Sequence, residues 1–326
     1  MRNLFALAVS ATTILAGLAF EAARAQEFPT RPISIIVPYA AGGVTDQITR
    51  IVGESASQIL GQPIVIDNRA GAGGQIAANA VKNAAPDGYT LLLADIGTHA
   101  INKSLFRKLS YDPVSDFTPI AEIGESPQVL VVPSSSPFQN LDGILKAARE
   151  NPGSIRFASP GLGSGSHLQG EILGFSKKVE VVHVPYRGSS AIMPDLLAGR
   201  IEMYFGAATS ALSFIREGNL RAIAAADPNR IPQLPDLPTV AELGMPELSL
   251  PLWVGVLAPA ATSPGVVQKL HGAFVGALAS QKVKERFASI VLNVPPARTP
   301  AEFASFMQSE TDRLAPIIRQ AGIVME

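Results

Sequence analysis

Three small-residue segments, each between a predicted strand and a predicted helix, carry the clearest chemistry in the sequence. They span residues 37–46, 158–167 and 205–210. The first backbone N–H groups of a helix have no partner within it and carry partial positive charge, so such an end can bind a carboxylate or phosphate without a cationic side chain. One such loop is equally well explained by tight turns and helix capping. Three of them favour a shared anion site.

Covalent chemistry is the alternative for the second segment. Ser164 and Ser166 stand close to His167, a combination that a serine hydrolase could use. However, the G-x-S-x-G pattern of a nucleophile elbow fails around Ser164 because position 162 is leucine. The sequence also lacks H-E-x-x-H, G-x-x-x-x-G-K-[ST] and a completed G-x-G-x-x-G. We therefore expect a binding protein with no cofactor and no metal, and keep an exported serine hydrolase as the alternative.

Two charged residues near these segments have two interpretations each. Asp46 follows Gly42-Gly43, where it could complement the helix dipole or accept a hydrogen bond from a ligand. Arg187 could pair with an anion or lie at a surface between two lobes. The spacing of these residues leaves both questions open.

Composition excludes several classes of protein. The chain has 326 residues, a net charge of −1, 47% hydrophobic and 16% charged residues, and no cysteine. This length is typical of two lobes or domains, and the composition is that of a globular protein. Near-neutral charge provides no basic surface for nucleic acid. Without cysteine there is no disulfide, thiolate nucleophile or iron–sulfur cluster.

The N-terminus predicts export. Arg2 precedes an apolar run at residues 4–20, and Ala23-Arg24-Ala25 follows as a small-x-small cleavage pattern. A membrane anchor is the alternative, but polar residues and glycine dilute the run, and about 20 strongly apolar residues are needed to span a bilayer. We expect residues 1–25 to be a cleaved signal peptide, with the mature chain in a bacterial periplasm.

The remaining chain alternates short apolar strands with helices. Ile33–Val37 is a β-branched run, and Val44–Leu60 has amphipathic spacing that ends at Gly61. This alternation continues along the chain and predicts an α/β protein with mainly parallel sheets flanked by helices. Two proline-punctuated segments, at about residues 118–128 and 246–256, are suited to crossing between lobes. We therefore predict lobe I at 26–122 and 250–326, and lobe II at 123–249.

A set of ordered motifs resembles the Bug/TctC family, the periplasmic solute-binding proteins of tripartite tricarboxylate transporters. The motifs are Val37-Pro38-Tyr39 with Gly42-Gly43 and Asp46; Asn68-Arg69-Ala70-Gly71-Ala72-Gly73-Gly74; Pro86-Asp87-Gly88-Tyr89-Thr90-Leu91; Tyr111-Asp112-Pro113 with Asp116-Phe117; Val184-Pro185-Tyr186-Arg187-Gly188; Asp195-Leu196-Leu197-Ala198-Gly199-Arg200; and Leu237-Pro238-Thr239 with Glu242-Leu243-Gly244. They extend over nearly the whole chain after residue 25.

The resemblance implies a two-lobed type II periplasmic binding protein fold with a double-crossover hinge. It implies a carboxylate-bearing organic acid held in the cleft by backbone N–H groups, hydroxyls and ordered water. The ligand-binding positions carried over by motif are Tyr39, Ala41, Gly42, Gly43, Asp46, Thr98, Gly161, Ser164, Ser166, His167, Ala207 and Ala208. One departure is Gly206-Ala207, where many family members have an acidic or amide residue.

The resemblance also implies partners. We expect a monomer that delivers its small organic acid to membrane permease subunits, without nucleic acid as a partner. A ligand-presenting accessory of a sensor kinase would have the same sequence features, so this alternative stays open.

Overall fold

Two five-stranded sheets form the framework of the chain. The computed structural model describes residues 28–325. With strands numbered in chain order, the first sheet has the order β2 (Ile64–Asn68), β1 (Ile33–Val37), β3 (Thr90–Asp95), β10 (Leu252–Pro259) and β4 (Phe117–Ser126). The second has the order β7 (Val181–Pro185), β6 (Ile155–Ser159), β8 (Met203–Ala207), β5 (Gln128–Pro133) and β9 (Leu220–Ala225). We call the part built on the first sheet the first lobe, and the part built on the second sheet the second lobe. The predicted two-lobed α/β fold is confirmed.

Most strands are short and largely buried, whereas the edge strands β2 and β7 have no fully buried residue. All residues of β5 and β8 are buried. Continuous apolar runs are expected where helices cover both faces of a sheet.

Helices cover both sheets. Their bounds are α1 Val44–Leu60, α2 Gln75–Lys82, α3 Asn102–Leu105, α4 Leu141–Glu150, α5 Gly165–Lys177, α6 Met193–Leu197, α7 Ala208–Arg216, α8 Pro264–Ala279, α9 Gln281–Ser289 and α10 Pro300–Gln320. Helix α1 ends where the sequence predicts, because Gly61 adopts the left-handed conformation with φ 69°. A capping box of Thr299 and Glu302 begins α10.

One strand in each sheet runs against the other four. Strand β10 is antiparallel to both β3 and β4, and β5 is antiparallel to both β8 and β9. The sheets are therefore mixed, with four of five strands in one direction. Each reversed strand is the first one after the chain crosses between lobes. The chain leaves β4 of the first sheet and enters β5 of the second at Pro127, and it returns to the first sheet between β9 and β10.

The first crossing is made of strand. The sequence indicates an extended segment at about residues 118–128; there β4 continues for ten residues to Ser126, and β5 begins at Gln128. The antiparallel partner of β4, strand β10, lies far away in sequence, so no local pattern announces the pairing. The predicted lobe boundaries at 122/123 and 249/250 stay a prediction.

Residues 1–25, the predicted signal peptide, lie outside the described residues. Among residues 28–325, no helix combines the length and apolar composition needed to cross a bilayer.

Candidate functional site

A buried cavity lies between the two lobes. The volume open to the centres of water-sized molecules inside it is about 40 Å³. Both lobes and the returning segment line it: Tyr39, Gly43, Val44, Thr45, Asp95 and Ile96 from the first lobe, Gln128, Pro160, Ser164, Gly165, Ser166, Ser189, Tyr204 and Ala207 from the second, and Leu250 and Leu252.

Three helices begin at the wall of this cavity. The residues that immediately precede α1, α5 and α7 are Gly43, Ser164 and Ala207, and all three line the cavity. First-turn N–H groups of all three helices therefore lie at one site contributed by both lobes. That of Val44 donates to Ser189 Oγ and that of Ala208 to the Pro127 carbonyl. Their partial positive charges favour an anion there.

The charged side chain on the cavity wall is an acid. Asp95 accepts a 2.6 Å hydrogen bond from the Tyr39 hydroxyl, and its other oxygen accepts 2.9 Å bonds from the backbone N–H and the hydroxyl of Thr98. Burial raises the pKa of Asp95, and the hydrogen bonds from Thr98 and Tyr39 oppose that shift. Among the described residues that line the cavity there is no lysine, arginine or histidine. Helix N-termini and hydroxyls are thus the groups available to an anion.

The predicted site residues divide into two groups. Tyr39, Gly43, Ser164, Ser166 and Ala207 line the cavity. The others lie outside its lining: Ala41, Gly42, Asp46, Thr98, Gly161, His167 and Ala208. Of this second group, Ala41 and Gly42 are exposed, and Thr98 is buried against Asp95. Ala208 donates its backbone N–H to Pro127 at the hinge.

Asp46 holds the first loop in shape. Its carboxylate accepts hydrogen bonds from the backbone N–H of Gly42 at 2.9 Å, from Asn68 at 3.0 Å and from Arg50 at 2.9 Å. Burial would raise the pKa of Asp46, but the hydrogen bonds from Arg50, Gly42 and Asn68 outweigh it and hold the pKa below its usual value. The carboxylate therefore acts within the loop that precedes α1.

His167 is arranged for packing. Its Nδ1 accepts the backbone N–H of Gly163 at 3.2 Å, and its ring stacks on His183 with centroids 4.1 Å apart. Burial and the neighbouring His167 lower the pKa of His183 to about 3. The Ser164 hydroxyl donates to Gly161 at 2.7 Å and accepts the backbone N–H of His167 at 3.3 Å. Within residues 28–325, the His167 imidazole makes no hydrogen bond to Ser164 or Ser166.

The same histidines form a possible metal cluster with Glu171. Ligand atoms of His167, Glu171 and His183 lie within 4.8 Å of one another. However, Nδ1 of His167 accepts a hydrogen bond, so its Nε2 carries the proton in the neutral ring and has no lone pair for a metal. The two rings also stack, and imidazole lone pairs lie in the ring planes, so they do not converge on one point. The residues therefore do not fit a metal centre.

Several cavity-lining residues were missed by sequence reasoning. They are Gln128, Ser189, Tyr204, Leu250 and Leu252. Asp95 and Ile96 also line the cavity, and the family resemblance implies that their segment, residues 95–98, faces the ligand. Gln128 and Leu252 are the first residues of the reversed strands β5 and β10. They reach the cavity only when each of these strands pairs within its own sheet.

Known proteins resemble this chain in both sequence and architecture. The model of the tripartite tricarboxylate transporter family receptor, TctC, matches residues 48–323. The structure of MatC from Rhodopseudomonas palustris with bound malate is 34% identical, with a TM-score of 0.86 over 89% of this chain and 100% of that chain. Rpa4515 of R. palustris with adipate is 32% identical, with a TM-score of 0.86 over 92% and 100% of the two chains. The periplasmic binding protein BugD is 31% identical, with a TM-score of 0.87 over 91% and 100%.

The family match covers most of the chain, and the solved structures share both the fold and about a third of the residues. The chain belongs to the Bug/TctC family of tripartite tricarboxylate transporter receptors.

Proposed function

We propose that the protein is an extracytoplasmic receptor that captures a small carboxylate-bearing organic acid between its lobes. The observation that carries this proposal is the meeting of three helix N-termini at one buried cavity, to which both lobes contribute. Such a site suits a carboxylate, because several N–H groups can donate to its oxygens in a water-poor space. The solved relatives with malate and adipate bind ligands of this class.

In this proposal the predicted site residues have two roles. Tyr39, Gly43, Ser164, Ser166 and Ala207 stand at the ligand, because they line the cavity. The remaining residues keep the loops in place: Asp46 bonds to Gly42, and the backbone N–H of Gly163 bonds to His167. The loops themselves would then present the backbone donors.

The proposed setting is the periplasm, where the signal peptide at residues 1–25 would direct the chain. There the loaded receptor would deliver its acid, as a monomer, to the membrane permease subunits of a tripartite tricarboxylate-type transporter. Family membership supports this partnership. Catalysis is not favoured, because the Ser164 hydroxyl already caps α5 and His167 does not contact it through its ring.

A ligand screen tests the proposal. The chain from residue 26 would be mixed with monocarboxylates, dicarboxylates, tricarboxylates, amino acids and aromatic acids, and thermal unfolding recorded. A binding acid at 100 times its Kd should stabilise the protein by about 2.7 kcal/mol. If no acid raises the unfolding temperature, or if an acid or ester is turned over, the proposal is wrong. Uptake of the identified acid in cells lacking this chain then tests the transport partnership.

A further inference from the structure

A short segment of the second lobe, residues 187–190, lies directly against the loop that precedes α1 in the first lobe. The backbone N–H of Ala40 donates to the carbonyl of Arg187 at 3.0 Å. The Ser190 hydroxyl donates to the carbonyl of Ala41 at 3.2 Å. The backbone N–H of Val44 donates to Ser189 Oγ at 3.4 Å. Three hydrogen bonds between the lobes thus come from four consecutive residues.

Glycines allow this close approach. A Cβ atom placed on Gly188 would lie 3.2 Å from both the backbone nitrogen and the Cβ of Ala40. A Cβ atom on Gly43 would lie 2.9 Å from Ser189 Oγ. Both distances are shorter than ordinary van der Waals contact, so the two backbones meet only because these positions lack side chains.

We propose that residues 187–190 form a latch that holds the two lobes closed independently of the ligand. The latch joins protein to protein, since its hydrogen bonds run between backbone and serine groups of opposite lobes. It also borders the site, because Ser189 lines the cavity and engages the first-turn N–H of Val44.

The effect of the latch on ligand affinity rests on the proposed receptor function. Its hydrogen bonds join protein groups and do not depend on the ligand. A ligand that binds only the closed form has an apparent affinity proportional to the closed fraction. Contacts that favour closing therefore strengthen the binding of every acid that the site accepts. The latch sets overall affinity, whereas the cavity wall sets the choice of ligand.

Two variants test the latch from different directions. Gly188→Ala adds a methyl group that collides with Ala40, and Ser190→Ala removes one inter-lobe hydrogen bond from an exposed side chain without adding any atom. Gly188 has φ 157°, a conformation in which alanine is strained. Gly218→Ala is therefore the matched control, because Gly218 also has a positive φ, of 76°, and a Cβ there has nothing within 4 Å. Thermal unfolding of each variant shows whether its lobes remain folded.

Closing can be measured without knowing the ligand. The chain has no cysteine, so R69C and R200C introduce the two attachment points needed for spin labels, one on each lobe. Both positions are exposed. We expect the distance distribution of the double-labelled protein to shift to longer distances in Gly188→Ala, less so in Ser190→Ala, and not in Gly218→Ala. Identical distributions in all four proteins would overturn the latch.

Titration with adipate as the probe acid separates this proposal from the receptor function. If adipate binds, we expect its affinity to fall about tenfold in Gly188→Ala, because a smaller closed fraction lowers apparent affinity in proportion. Equal affinity in the control and both latch variants, with equal distance distributions, overturns the latch and leaves the receptor function standing. A shift in distances in a protein that no organic acid stabilises supports the latch and overturns the receptor function.

Discussion

Tyr39 donates a 2.6 Å hydrogen bond to Asp95, and both side chains line the buried cavity. The pair joins the loop before α1 to the end of β3, so it couples two segments of the first lobe at the site. Burial, together with the charge of Asp95, raises the pKa of Tyr39 well above its usual value, so the phenol stays a hydrogen-bond donor.

Replacing Tyr39 with phenylalanine should therefore affect stability and binding together. The variant leaves one buried oxygen of Asp95 without its donor, which costs about 1–3 kcal/mol. Denaturant unfolding measures the loss, and ligand titration measures the change in affinity. Tyr186→Phe is the control, because Tyr186 makes a similar 2.7 Å bond to Asp195, outside the cavity lining. Equal losses in the two variants would contradict the special position of Tyr39.

A bulge in β4 brings two acids to the same face of the first sheet. Val254 pairs with Gly124 and Gly255 pairs with Glu122, so Ile123 is an extra residue and Glu122 shares a face with Glu125. Arg298 forms an ion pair with the buried Glu122. Burial raises the pKa of Glu122 to about 8, with a further contribution from Glu125, and burial also raises the pKa of Glu125. One proton on the two acids would balance the single charge of Arg298.

Stability should consequently fall as pH rises through this range. A carboxyl whose folded-state pKa is raised keeps its proton in the folded protein above the pH at which the unfolded chain loses it. Its contribution is therefore complete below the unfolded value of 4.5 and lost as pH approaches about 8. Denaturant unfolding from pH 4.5 to 8.5 should show this decline, and Glu122→Gln should flatten it. The exposed variant Glu150→Gln should keep it; a flat curve for the unmodified chain contradicts the prediction.

The two serines of the second segment should behave differently. The Ser164 hydroxyl caps α5 through the backbone N–H of His167, so Ser164→Ala should cost about 1 kcal/mol of stability. Ser166 lines the cavity and does not cap the helix; its hydroxyl hydrogen-bonds Tyr204, which also lines the cavity, so we expect it to contact the ligand. Ser166→Ala should weaken binding about tenfold, the equivalent of about 1.4 kcal/mol. Calorimetric titration and unfolding of both variants decide the assignment; a larger affinity loss in Ser164→Ala would reverse it.

Gly43→Val should abolish binding while the fold remains. Gly43 has φ −76°, which any residue adopts, so backbone strain is not the reason. The added side chain instead meets Ser189 Oγ and enters the cavity that Gly43 lines. Titration with the acid identified in the screen measures the loss, and Gly272→Val is the control. Unchanged affinity in a folded Gly43→Val protein would remove this loop from the site.

Processing of the N-terminus can be tested by mass. Ala23-Arg24-Ala25 predicts cleavage before Gln26. The intact mass of protein released from the periplasm should therefore equal that of residues 26–326. Recovery in the membrane fraction alone, with residues 1–25 retained, would show that the segment is an anchor.

The sequence alone determined most of the secondary structure and the loops of the site. Apolar runs predicted β1, and amphipathic spacing with Gly61 predicted both ends of α1, because strand and helix patterns are local. Small residues between strand and helix located Gly43, Ser164 and Ala207, since the end of a strand and the start of a helix are both visible in sequence. The ordered motifs identified the family.

Only the tertiary structure decided which of these residues meet. Asp46, in the first turn of α1, bonds back to the loop before that helix, whereas Asp95 lines the cavity, although both follow a strand near a glycine. Glu122 and Glu125 lie on the same face of β4 because of a bulge in its pairing with the distant strand β10. The contact of Ala40 with Arg187 joins opposite lobes across almost half the chain. Such contacts depend on the pairing and closure of remote segments, which leave no periodic signal in the residues that make them.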